Sequence, residues 1–237
     1  MASDPTNTRA AIEKRYAEHY YHRNPDKVYP VEFVVRTLLG TYPDLKLDPL
    51  TYRDAKILDL GFGDGRNMPF LHDLAFKIYG VEISDEICRL TEARMERLGV
   101  PVNLRTGSNA HIPFEDKAFD FILACHACYY VNPGECFTDN LREILRVLRP
   151  GGRFIFSLAK TDSYILEDAV PLGKGHYRIT HDPRGLREGA VFRAFSSKQE
   201  IVDELKADFD EFAFGLCENE YYGIHEAVWI GTCRKKN

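Results

Sequence analysis

No stretch of this 237-residue chain approaches the roughly 20 consecutive apolar residues that a membrane-spanning helix needs. Its first residues, MASDPTNTRA, lack the apolar segment of a secretory signal. A cytoplasmic protein is therefore expected, without a membrane partner. Basic residues are not in excess: 31 Lys and Arg stand against 36 Asp and Glu, a formal net charge of −5. The cationic stripe that releases counterions from a phosphate backbone is missing, so nucleic acid is not an expected partner. The short basic run at Arg234, Lys235 and Lys236 reads as a solvated terminus. The six cysteines fall in no framework spacing and are expected to be reduced thiols. Cys125 and Cys128 form a C-x-x-C, but no second cysteine pair or spaced histidine pair follows to complete a tetrahedral site. No metal is expected, and no internal repeat, low-complexity tract or linker divides the chain.

Hydrophobic residues make up 44% and charged residues 28%, the balance of a globular protein. One α/β domain over 1–237 is expected, with an N-terminal helical cap (1–50), a core (55–158), an insertion (159–195) and a C-terminal helix and hairpin (196–237). In the cap, Ile12, Tyr16 and Tyr20 recur at helical spacing from about Thr8 to Arg23. A second helix starts near Pro30 and runs to Leu39, with Gly40 as a left-handed stop. From Lys56 the rhythm becomes strand, turn, helix, strand, which is the alternation of parallel βαβ units. The strands are read as KILDL (56–60), KIYGVE (77–82), VNLRT (102–106), FDFILAC (119–125) and RFIFSL (153–158).

A helix opens at Ser84 with Asp85 and Glu86 in its positive first turn, buries Ile87, Leu90, Met95 and Leu98, and ends at Gly99. Another spans about 134–148 before Pro150-Gly151-Gly152. The insertion holds two strand-like pieces, HYRIT and AVFRAF. Ser197 and Glu200 form a capping box that opens a helix through Leu205. Strand-rich segments at about 208–217 and 225–234 close the chain.

The segment ILDLGFGDGRN, 57–67, carries the chemistry. An apolar strand reaches Asp59 and then delivers Gly61, Gly63 and Gly65 into a tight turn, where absent side chains let a ligand approach the backbone. Backbone amides there can hold a carboxylate. Glu82 ends the next strand about 20 residues on, where a carboxylate accepts hydrogen bonds from both hydroxyls of a ribose. A nicotinamide dinucleotide site needs a glycine where Arg66 stands, so the turn does not fit that cofactor.

These pieces, with GVEIS (80–84), IPFEDKAFDFILACHACYYV (112–131) and REILRVLRPGGRFIFSL (142–158), resemble the class I S-adenosylmethionine (SAM)-dependent methyltransferases. The resemblance implies an α/β, Rossmann-like fold whose seven-stranded, mostly parallel sheet runs 3-2-1-4-5-7-6 and is flanked by helices. It implies SAM as cofactor, with Asp59, Gly61, Phe62 and Gly63 at the methionine end, Glu82 on the ribose and Ile83 on the adenine. Cys125 is placed with the same cofactor set. Where the family commonly has an adenine-binding Asp, this chain has Ser108, and Asn109 stands beside it.

The acceptor side is read as a small molecule, methylated first on oxygen, with nitrogen and carbon open. His126 follows the fourth strand, where ligands of open α/β sheets bind, and His176 and His181 lie in the insertion. All three are candidate catalytic residues. Tyr129, Tyr130 and Tyr21 are candidates for the acceptor site; Tyr20, His19's neighbour on the first helix, is a candidate to close over SAM. Tyr221, Tyr222 and Glu226 rank behind them. The alternatives are a SAM-binding sensor or partner subunit without transfer, or an aminopropyltransferase. The second would show paired acidic residues after the fourth strand, where CHACYYV has none.

Overall fold

The computed structural model describes residues 9–22 and 27–237. The ends of the first expected helix, Thr8 and Arg23, lie outside the described residues. Helix α1 (Arg9–His22) and helix α2 (Glu32–Leu39) precede the sheet. Gly40 does end α2, but with φ −76° and ψ 151° rather than in the left-handed region. A side chain there would run into the Arg36 carbonyl and the Tyr42 ring, so the glycine answers crowding rather than a turn.

Strands β1 (Lys56–Leu60), β2 (Lys77–Glu82), β3 (Val102–Thr106) and β4 (Phe119–Ala124) form where the apolar runs predict. Between them lie the one-and-a-half-turn α3 (Met68–Asp73) and α4 (Asp85–Arg97). The Ser84 side chain caps α4 by accepting from the Glu86 amide at 3.2 Å. Gly99, at φ +70°, is the left-handed stop just past it. The buried face of α4 is not the one expected: Ile87 and Met95 are inside, but Leu98 is exposed and Leu90 only half-buried. Cys88, Thr91 and Arg94 take their place. The reason lies in the glycine turn, whose carbonyls demand polar partners from this helix.

The two-residue strand β5 (Tyr130–Val131) and helix α5 (Phe137–Val147) lead into β6 (Leu148–Lys160). This strand is longer than RFIFSL because Pro150-Gly151-Gly152 is absorbed as a bulge, with the register shifting between Phe119 and Phe121 of β4. Strands β7 (Val170–Gly173), β8 (His176–Arg178) and β9 (Val191–Phe195) follow, then α6 (Lys198–Leu205), β10 (Phe209–Tyr221) and β11 (Ile224–Lys235). At α6 only half of the capping box forms: Ser197 accepts from the Glu200 amide, while the Glu200 carboxylate turns to the Ser196 amide instead.

The core sheet runs β3-β2-β1-β4-β6-β11-β10. The first five strands are parallel and the last two form an antiparallel hairpin. That is the expected seven-strand order and the α/β class. The two strand-like pieces read in the insertion, HYRIT and AVFRAF, are β8 and β9, but the sheet they join was not read from the sequence: β9 leaves the end of β6 and pairs with β8 and β5, and β8 with β7, making a small antiparallel sheet above the core. Two apolar clusters hold the layers, one on each sheet face. One centres on Phe119, Phe154, Phe156 and Phe195, the other on Phe62, Met68, Phe76 and Phe121. No helix among the described residues is long and apolar enough to cross a membrane, and all six cysteines are unpaired.

Candidate active site

The carboxyl ends of β1, β2 and β4 open on one crevice, as the strand order requires where it reverses direction. Gly61, Gly63 and Gly65 all have positive φ, at 69°, 56° and 70°. Their turn is fastened from behind by α4. Thr91 Oγ1 donates to the Gly63 carbonyl at 2.8 Å, and the buried Arg94 guanidinium donates to the Asp64 carbonyl at 2.5 Å. In front, Glu82 takes the Gly63 amide on Oε1 at 3.1 Å and the Ile83 amide on Oε2 at 2.6 Å. Burial raises the Glu82 carboxyl above its ordinary range, opposed by those two amides.

Asp59 lies beneath the turn, 1% exposed, and lines neither cavity of the crevice. Both its carboxylate oxygens are without a partner among the described residues. Burial, with Glu82 and Asp64 nearby, pushes its pKa up to about 8. A glycine cradle beside Glu82 on the crevice wall is what a ligand bearing a ribose would satisfy, with the unpartnered Asp59 carboxyl behind the cradle rather than open to the crevice. The residues therefore fit SAM.

The crevice has two compartments. The first is lined by Gly61, Glu82, Ile83, Ser108 and Asn109, with Tyr16 and Tyr20 of α1 above them. Asn109 is committed to the backbone, its Nδ2 donating to the carbonyls of Ala127 at 2.9 Å and Tyr130 at 3.0 Å. The second, of about 370 Å³, is in the size range of small-molecule sites. Its walls include Phe62, Cys125, His126, Tyr129 and Tyr130, and it also receives Arg184, Arg187 and Glu226. His126, Gly61, Tyr16, Tyr20 and Tyr130 border both.

His126 is held at φ +55°, with its amide donating to Ser157 Oγ at 2.7 Å. Burial brings its pKa down to about 4; Glu226 opposes this, while Arg187, Arg66 and Arg184 reinforce it. The imidazole is thus neutral at physiological pH. Burial likewise pushes the Cys125 thiol well up, so it is no nucleophile.

His176 and His181 line neither compartment. His176 sits on β8, with Nδ1 3.1 Å from the Lys174 carbonyl, and His181 is exposed on the loop after it. Tyr21 is 60% exposed and turned away, because the helix puts it off the Tyr16–Tyr20 face. The contact expected of it is made by Tyr16, whose hydroxyl meets the Tyr130 hydroxyl at 2.7 Å, and by Tyr20, which lies over Gly63. Burial, then Glu82 and Asp64, raise the Tyr20 hydroxyl far above its usual value. Tyr221 and Tyr222 are exposed on the hairpin and line neither compartment, whereas Glu226 does. Tyr16 carried a signal, the i, i+4 repeat with Ile12 and Tyr20; Arg184 and Arg187 carried none, since a loop delivers them.

Comparison with known proteins agrees with this geometry. Residues 58–156 match the family model described as a methyltransferase domain. A sterol 4-C-methyltransferase of Caenorhabditis elegans is 31% identical over 127 residues, which are 52% of this chain and 36% of that protein. An uncharacterized protein of Methanocaldococcus jannaschii is 33% identical over 153 residues, covering 63% of this chain and 61% of that one. The chain thus spans less than two thirds of either relative. Among solved structures, the 1,6-didemethyltoxoflavin N1-methyltransferase of Burkholderia thailandensis, with S-adenosylhomocysteine bound, superposes with a TM-score of 0.61. It shares 18% identity, with 100% of this chain and 92% of that one covered. At that identity the likeness is one of fold. Over its core, residues 58–156, this chain matches a methyltransferase domain, and its fold is the one that SAM-dependent methyltransferases share.

Proposed function

We propose that the chain binds SAM in the first compartment and transfers its methyl group to a small molecule held in the second, oxygen being the favoured acceptor atom. The observation that supports this best is the juxtaposition of the Gly61–Gly65 cradle and Glu82 with a second, adjoining cavity across His126 and Tyr130. SAM, when bound, supplies an electrophilic methyl carbon on a sulfonium. Gly61 and the turn through Gly63 would hold its methionine end, with Asp59 behind the turn, and direct it toward Phe62 and Cys125 on the wall of the second compartment; Glu82 would take the ribose, and Ile83, Ser108 and Asn109 the adenine. Tyr16, Tyr20 and the 184–187 loop exclude water and hold the acceptor in line, and such positioning supplies roughly 7–11 kcal/mol of a bimolecular barrier. His126, neutral above about pH 4, is free to accept a proton or hydrogen bond from the acceptor. The histidines 176 and 181 have no part in this reading.

The test is calorimetry followed by a mass-spectrometric screen of metabolites incubated with the protein and SAM. SAM and its demethylated product should bind and NAD should not, and one acceptor should gain 14 mass units, the mass of a methylene (one added CH₂). Tight NAD binding with no SAM heat would overturn the reading. With an acceptor in hand, His126→Ala should lower turnover by about 10²–10⁴-fold at unchanged SAM affinity if it serves as base. Near-normal turnover would leave positioning of an already anionic acceptor as the mechanism.

A further inference from the structure

The second compartment is walled by rings: Tyr129, Tyr130, Tyr164 and Phe192 all border it. Tyr130 and Phe192 pack with centroids 4.3 Å apart, and Tyr129 meets Phe192 edge-on at 5.0 Å. Among these rings stand three arginines in different states. Arg66 is spoken for, its fork closed on both oxygens of Asp64 at 2.9 and 3.0 Å. Arg184 is exposed and faces Glu226 at 3.7 Å. Arg187 is different.

Its side chain is only 19% exposed. Nη1 donates to the Tyr164 hydroxyl at 2.9 Å and reaches Asp182 at 3.4 Å, a long contact. Among the described residues, Nε and Nη2 make no hydrogen bond. Asp182 offsets part of this charge from 3.4 Å, but it is buried and also accepts from the amides of Arg184 and Leu186 at 3.0 Å and Arg187 at 2.9 Å, so it meets only Nη1 and leaves Nε and Nη2 open. Its role is to fold the 182–187 loop so that Arg187 projects inward. The Tyr129 hydroxyl, in the same wall, also has no partner among the described residues. A desolvated guanidinium with open donors, beside a free hydroxyl and aromatic walls, calls for a planar anion.

We infer that the methyl acceptor is a small aromatic acid, whose ring lies against Tyr129, Tyr130 and Phe192 and whose carboxylate is held by Arg187. This rests on the proposed use of the second compartment for the acceptor. Amine acceptors are disfavoured by the same feature, since an ammonium has no lone pair to offer the open Nε and Nη2 donors of Arg187. Arg187 is a positioning residue in this account; the reacting atom lies nearer His126, on the SAM side.

The probes are 4-hydroxybenzoate, its uncharged isostere 4-hydroxybenzamide and the cation tyramine, titrated into the protein saturated with S-adenosylhomocysteine. The acid should bind, with the amide and amine weaker. Arg187→Gln should weaken the acid by about 30-fold or more, the loss expected when one partner of a desolvated charged pair is removed. Arg187→Lys should recover part of it, and SAM affinity should stay at the wild-type level in both, which certifies the fold. An amide that binds as well as the acid, or an acid indifferent to Arg187→Gln, would overturn the inference, as would no binding of the acid. Failure of the methyltransferase reading looks different: acid bound through Arg187, but no methyl transfer to it or to any other aromatic acid.

Discussion

The two halves of the crevice are built in opposite ways. The proposed cofactor half is centred on one stretch, 57–83, where glycine dihedrals and two strand ends leave few alternatives, and Ser108, Asn109, Tyr16 and Tyr20 only complete its walls. The acceptor half is made of side chains from α1, the loop after β4, the 163–187 region and β11, which meet only when the chain is folded. A site of the first kind fails when the backbone is disturbed. A site of the second kind fails when one side chain is removed, and the fold survives.

The sharpest test of that contrast is Gly63→Val. At φ +56° an L-residue costs about 1–2 kcal/mol, and its side chain would also strike the Tyr20 hydroxyl. SAM binding should be lost in calorimetry while circular dichroism stays native. If Gly63→Val binds SAM normally, the cradle does not hold it.

Asp59→Asn comes next. Unfolded, an aspartate titrates near 3.9, but here it titrates at about 8. Between those values the native chain holds a proton that the unfolded chain lacks. Stability therefore falls as pH rises from about 4 to about 8, by up to about 1.4 kcal/mol per unit. Asp59→Asn should remove this slope, so its melting advantage over wild type, without ligand, should grow from about pH 5 to about pH 8 and then level off. A constant difference would show that Asp59 is ionised throughout.

Glu82→Gln should weaken SAM by about 1–3 kcal/mol, the cost of unmaking a charged hydrogen bond in a buried site. Unchanged affinity in titration would put the ribose elsewhere. The smallest effect is expected on the acceptor side: Tyr16→Phe removes one end of the hydroxyl pair with Tyr130, worth about 1 kcal/mol. Amide exchange of α1 should rise in this variant and fall on adding S-adenosylhomocysteine. Exchange in α1 that ignores both changes would make the helix a fixed wall.

The same contrast explains what could be read in advance. That Gly61, Gly63 and Glu82 meet at one crevice was legible because they are constrained by their immediate neighbours in the chain. So were five core strands, since apolar runs bounded by turns have few other ways to bury themselves. β6 extended past its expected start because a bulge keeps Pro150-Gly151-Gly152 inside the ladder, which no local pattern announces. Two-residue β5 carries too little pattern to be seen. On the acceptor side, Tyr21 and Tyr20 are adjacent, and only the helix phase decides which one faces in; Arg187 looks like any loop arginine until Asp182 folds the turn beneath it. On α4 the hydrophobic period pointed to Leu90 and Leu98, but Thr91 and Arg94 are buried because the glycine turn needs donors.

Those two donors have a further meaning for the thermodynamics of the ligand. Glycines are the residues that lose most freedom on becoming ordered, and a glycine-rich loop left slack would charge that loss to every binding event. Thr91 and Arg94 pin the Gly63 and Asp64 carbonyls to a helix that is part of the apolar core. The loop's ordering entropy is thereby settled when the chain folds, and an arriving ligand meets a surface already in its final shape.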